Sequence, residues 1–256
     1  MMTRYEAWLD KKSLSAIDPS IYILDIAYST PRTVMDVIDI AGRNGQRIAG
    51  RHARSNSVVV TFEIHEQDIA RRQEVCAKVQ AWAMRGGYLT TNDRRGQRLH
   101  VICDEPPVID SALKWTRPLK VTFTAYEQPF WEDAQPRAAK AREAENKTLY
   151  VPGIGAMTRV EASVINTSGD TVDALTLRAG GTAMAFEGLG LENGQTLTIG
   201  YDDNGLLTIR AGDTSKMGCR TAESDDELMV ETGKGSTVSV SGANVSAAFT
   251  ARGLYL

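Results

Sequence analysis

A single amphipathic helix set among strands most constrains how this chain can fold. Asp68 to Arg85 carries Ile69, Cys76, Val79 and Ala83 at i, i+7, i+10 and i+14, with Val75 and Trp82 widening the stripe. Arg71, Arg72, Glu74, Lys78 and Arg85 fill the opposite face, Asp68 is placed as the N-cap, and Gly86-Gly87 stops the helix. A stripe of this width covers a sheet on one side only. The strand to be covered lies just upstream. In Val58-Val59-Val60-Thr61-Phe62-Glu63-Ile64, residues Val58, Val60, Phe62 and Ile64 share one face.

Further strands flank this pair. Ile21 to Tyr28 is rich in β-branched and aromatic residues and closes at Ser29-Thr30-Pro31. Val34 to Ile40 and Arg47 to Arg51 flank Gly42-Arg43-Asn44-Gly45-Gln46, and Asn-Gly between extended runs marks a hairpin because both residues tolerate positive φ. This arm bears Arg43, Arg47, Arg51, His52 and Arg54, so it is expected to project into solvent or onto a partner through polar contacts. Arg43, Asn44, Gly45 and Gln46 are its candidate contact residues. Tyr88-Leu89-Thr90 and Leu99 to Ile102 form a second hairpin around Asn92 to Gly96. Leu119, Val121, Phe123 and Ala125 then alternate with polar residues, and the stretch ends at Pro129-Phe130-Trp131.

Composition changes after that point. Residues 132–147 hold four acidic and four basic side chains among alanines, with little to bury, and are expected to be an exposed helix or an extended connector. From residue 148 onward, short alternating runs are separated by Gly, Asn, Asp and Ser clusters, the pattern of an antiparallel sandwich. The expected fold is mainly β. An N-terminal β-sandwich or split-barrel domain with one packed α-helix spans residues 1–131, and a C-terminal antiparallel β-sandwich spans 148–256.

The remaining composition narrows function by exclusion. At 256 residues the chain suits two ordinary domains, and its net charge of -3 implies no nucleic-acid partner. Cys76, Cys103 and Cys219 are an odd set without CxxC spacing and read as free thiols in a reduced compartment. No signal-like segment and no apolar run of membrane-spanning length stands in the sequence.

Several fragments that suggest chemistry fail on context. Gly233-Lys234-Gly235-Ser236-Thr237 lacks the upstream glycine and the helix of a phosphate loop, and Gly188-Leu189-Gly190 precedes a strand. Asp202-Asp203-Asn204-Gly205 has turn spacing, not that of a calcium loop. His52, His65 and His100 show neither HxH nor HxxxH spacing, and no GxSxG elbow occurs. No catalytic residue, cofactor or metal site is expected, and the chain is read as not an enzyme. Trp115, between Lys114 and Arg117, is the aromatic residue kept as a candidate surface contact.

The order of these elements resembles the distal tail proteins of phages with long non-contractile tails. The resemblance rests on Gly42-Arg43-Asn44-Gly45, Val60 to Ile64, the helix from Asp68 to Trp82, Pro129-Phe130-Trp131 and the C-terminal Gly253-Leu254-Tyr255. It implies a hexameric ring at the virion tail tip, assembled in the host cytoplasm, that joins the tail-tube protein to tail-tip components. The second domain would face outward towards a receptor-binding protein or a cell-surface glycan. A tail-tube subunit with a decorating domain and a carbohydrate-binding β-sandwich protein are the competing readings.

Overall fold

The computed structural model describes residues 5–40, 45–108, 117–202, 205–242 and 244–256. The chain separates into two compact units, Met1–Glu132 with Leu256, and Asp133–Tyr255. The first contains β1 (Ala7–Leu9), β2 (Lys12–Ser13), β3 (Ile21–Tyr28), β4 (Thr33–Asp39), β5 (Gln46–Ala53) and β6 (Asn56–Ile64). Helix α1 (Ile69–Ala83) follows, then β7 (Gly87–Thr91), β8 (Gln97–Glu105) and β9 (Leu119–Ala125), with β10 (Trp131–Asp133) at the boundary. The main sheet runs in the order β2-β1-β7-β8-β9-β6-β3. The two ends of β8 serve different neighbours: Gly87 to Leu89 pair with Val101 to Leu99, while Ile102 and Cys103 pair with Thr124 and Phe123. Antiparallel pairing that changes partner along one strand gives the unit its split-barrel character.

The alternation of β6 is fully realised. Val58, Val60, Phe62 and Ile64 are buried, the first three opposite Phe123, Val121 and Leu119 of β9 and Ile64 opposite Ile21 of β3. Helix α1 covers this face, and the Trp82 ring meets Phe123 edge-on at 5.7 Å. Full burial of each such side chain is worth roughly 1.5–3 kcal/mol. The Asp68 carboxylate accepts from Ala70 N at 2.8 Å, as an N-cap should. Gly86 leaves the helix at φ +64, where a β-carbon would meet the Val101 carbonyl at 3.0 Å.

The buried stripe is rotated from the one the sequence suggests. Arg72 is buried and Ile69 is 45% exposed. Val75, Cys76, Val79, Trp82 and Ala83 set the stripe's axis, and that axis passes through position 72 one turn earlier. Arg72 therefore lays its stem into the core and donates from Nη2 to the Gln67 carbonyl at 3.2 Å. Its Nε and Nη1 are buried without a partner.

The second unit is an antiparallel sandwich. It contains β11 (Arg137–Arg142), β12 (Asn146–Tyr150), β13 (Met157–Asn166), β14 (Leu175–Ala179), β15 (Thr182–Phe186), β16 (Thr196–Tyr201), β17 (Leu207–Ala211), β18 (Thr214–Ser215), β19 (Met229–Glu231), β20 (Gly235–Ser241) and β21 (Val245–Ala251). One sheet runs β11-β21-β13-β16-β17-β18, with β19 also on β13, and the other runs β12-β20-β14-β15. Val160, Val164, Leu177, Met184, Val238, Val240 and Phe249 belong to its single core. The exposed edge of β15 is blunted by side chains, since Asp225 and Ser224 accept from Ala183 N and Ala185 N at 2.7 and 2.9 Å.

Residues 132–147 are not a connector. Arg137–Arg142 is the full strand β11, paired residue by residue with β21, and Ala141 is buried in the core. From Ala139 to Arg142 alanine and charged residues alternate, so the strand turns the Ala139 and Ala141 methyl groups inward while its arginines and lysine stay wet. The Gly233-Lys234 stretch is a turn between β19 and β20, with Lys234 paired to Glu231.

Candidate functional site

The strands β4 and β5 pair with each other and with no other described strand. They form a free-standing two-stranded arm rooted where β3 ends and β6 begins. At the root, Arg32 N donates to the Ser55 carbonyl and Arg54 N to the Arg32 carbonyl, at 3.0 and 2.9 Å. Ser29 ties both sides of the root: its Oγ donates to Asn56 Oδ1 at 2.9 Å and accepts from Ser57 N at 2.8 Å. The arm thus leaves a fixed base, because β3 and β6 are locked in one antiparallel ladder.

Of the four residues expected to make the contact, Arg43 and Asn44 lie outside the described residues, as does Trp115. Gly45 adopts φ +91, the left-handed conformation that a tight turn uses. Gln46 opens β5 and donates from Nε2 to Asp39 Oδ1 at 2.9 Å. Farther down, His52 Nδ1 stands 3.4 Å from Asp36 Oδ2. At the bulge between Asp36 and Val37, a β-carbon on Gly50 would come within 3.0 Å of Asp36 Oδ2.

The arm's surface is mixed, with exposed apolar side chains beside Asp36, Asp39, Arg47 and His52. The register puts Val37 opposite Ile48, and Met35 shares their face. Val34 and Ile38 occupy the opposite face. Met35, Val37, Ile38 and Ile48 are 53%, 49%, 53% and 58% exposed. A lone hairpin with apolar residues on both faces is marginal in water and gains stability only when covered. The signal was present in Val34-Met35-Asp36-Val37-Ile38-Asp39-Ile40, which lacks the strict alternation of a strand with one wet face. A second open element is β3, the outer strand of the main sheet, where Tyr22 and Leu24 are half-exposed beside a register shift at Ile23/Asp25. Exposed strand edges of this kind accept another strand unless blocked.

Among the described residues no group of three His, Cys, Asp or Glu side chains is placed to hold a metal ion. Cys76, Cys103 and Cys219 form no disulfide among the described residues, and burial pushes the Cys103 thiol above its ordinary range. No helix among the described residues is long and apolar enough to cross a membrane.

No protein-family model matches this chain, and no curated protein matches it in sequence. Its fold has solved counterparts. The chain is similar to the Dit protein of phage SPP1 (gp 19.1), described as a paradigm of the hub adsorption apparatus in phages infecting Gram-positive bacteria. The TM-score is 0.73 at 10% identity, over 98% of this chain and 99% of that one. It is also similar to a chain of the phage p2 baseplate in its activated conformation. With Sr the TM-score is 0.52 at 11% identity, over 97% of both chains; with Ca it is 0.50 at 11%, over 98% of both. At these identities the likeness is one of fold, and it extends through both units of the chain.

Proposed function

We propose that this chain is the hub subunit of a phage tail, a structural protein that closes into a six-membered ring between the tail tube and the tip or baseplate. The observation that carries this reading is the end-to-end fold likeness to the SPP1 hub protein, 98% of this chain against 99% of that one. A shared sandwich alone would leave half the chain unmatched. The first unit builds the ring, and the β4–β5 arm, including Arg43, Asn44, Gly45 and Gln46, reaches the neighbouring copy. The apolar side chains exposed on both faces of the arm support this role, since a heterologous contact repeated around an axis covers such an arm once per copy and closes. The second unit faces outward and takes the tail-tip, receptor-binding or glycan contacts. In this reading the virion tail is the site of action, and assembly precedes it in the host cytoplasm.

Mass photometry of the full chain across a concentration series tests the ring. A species of six subunits is expected to grow in with concentration. A variant in which Val37 and Ile48 are both replaced by Ser is expected to need at least about tenfold more protein for the same assembly. Equal assembly of the variant and the parent removes the arm from the interface.

A further inference from the structure

Between the N-terminal segment and the C-terminal end of α1 lies a groove of about 430 Å³. One wall is Lys12, Ser13, Ala16 and Ile17; the other is Lys78, Ala81, Trp82 and Arg85. The two walls are tied to each other, because the Trp82 indole Nε1 donates to the Lys12 carbonyl at 3.0 Å. The segment is pinned farther along as well. Asp18 accepts from Arg71 Nη2 at 2.8 Å and from both Ser20 N and Ser20 Oγ.

The chemistry of the lining is one-sided. Lys12, Lys78 and Arg85 bring three cations, and none of the described lining residues is a carboxylate. Lys78 is matched by Glu74 at 2.9 Å. Among the described residues no carboxylate forms an ion pair with Lys12 or Arg85, although Arg71, Glu74 and Lys78 on the same helix are linked into one. Ala16, Ile17, Ala81 and the Trp82 ring supply the apolar part. A cationic rim over an apolar floor suits a ligand that carries both properties.

We propose that this groove docks an acidic peptide segment of a partner protein, with one bulky apolar side chain set between carboxylates. The apolar side chain lies over Ile17 and Trp82, and the flanking carboxylates meet Lys12 and Arg85. Charge complementarity selects the acidic peptide, and the apolar floor disfavours a bare anion or a nucleic-acid backbone, which has no group to place there. The proposal stands independently of the ring.

The test uses the full chain and capped pentapeptides Gly-Asp-X-Asp-Gly, with X being Leu, Phe or Trp. The readout is the assigned Trp82 indole N–H in NMR spectra. At least one peptide is expected to shift that resonance saturably, with a Kd that weakens at least about fivefold between 20 and 300 mM salt. The variant Lys12→Glu/Arg85→Glu, altered only at exposed positions, is expected to weaken binding at least about tenfold while keeping the parent's thermal melt. The matched Gly-Asn-X-Asn-Gly peptides are expected to bind at least about tenfold more weakly. No shift by any acidic peptide at 5 mM overturns the proposal, as does equal binding of the asparagine peptides. A larger effect from an oligo-dT strand assigns the groove to nucleic acid. A Trp82 shift that follows protein concentration without peptide assigns it to a second copy.

Discussion

Arg72 shows how one residue can resist reading from sequence. A charged side chain on an amphipathic helix is assigned to the wet face, yet its position relative to Val75, Cys76 and Val79 places it inward. The long aliphatic stem makes this tolerable, and two guanidinium nitrogens remain without partners. Because unsatisfied buried donors are costly, Arg72→Met is expected to leave the first unit as stable as the parent or about 1 kcal/mol more stable in denaturant melts. A loss of several kcal/mol would show that the guanidinium is satisfied in solution. Trp82 was legible, since its spacing from Val75 and Val79 and its size both demand burial. Trp82→Ala is expected to cost roughly 3–5 kcal/mol, against about 0.5 kcal/mol or less for Lys78→Ala on the exposed ridge. Asp18 adds a pH signature. Hydrogen bonds from Ser20 hold its carboxyl below the usual carboxylate range, aided by Arg71 and opposed by burial. A depressed folded-state pKa gives stability that is present above the unfolded value, near 3.9, and lost as pH falls through the folded value. The stability gap between parent and Asp18→Asn should therefore be widest near neutral pH and shrink below about pH 4, as chemical melts at several pH values would show.

Elements were legible where one physical period dominated. Strand β6 carries a clean period of two and buries the face that period assigns, and helix α1 lies where its 3.6 period places it, with the stripe rotated towards Arg72. The hairpin β7–β8 follows from its Asn92 to Gly96 turn. Strand β11 was not legible, because Arg137-Ala138-Ala139-Lys140-Ala141-Arg142 has helix-forming residues and almost no apolar bulk. Its strand state is imposed by the ladder with β21, a tertiary override of local preference. Ala141→Glu, placing a charge in that core, is expected to destabilise the second unit by about 2 kcal/mol or more in a thermal or denaturant melt. A neutral outcome would return the segment to a connector. The β4–β5 arm was legible as a hairpin and misread in its surface, because exposure on both faces depends on the absence of a neighbouring strand. An arm whose contacts are mainly apolar should associate with only weak salt dependence, under about threefold between 50 and 500 mM, whereas arginine-led contacts would weaken steeply. Sedimentation across that salt range distinguishes the two.

At the scale of the whole molecule, two units in a fixed order argue for assembly more strongly than any single residue does. Among the described residues, Met35, Val37, Ile38, Ile40 and Ile48 expose apolar side chains on or beside one arm, and Tyr22 and Leu24 do so on an outer strand. The order of strand, hairpin, helix and second sandwich was readable from the sequence. The interfaces were not, because they depend on surfaces left uncovered when the single chain has folded. The likeness to the SPP1 protein runs end to end at 10% identity, so what the two chains share is the fold. The central claim is that copies of this chain close into a ring. Negative-stain class averages of the full chain at high concentration address it most directly. Closed particles with six-fold symmetry and a central opening are the expected result, and particles that remain single subunits at every concentration would contradict it.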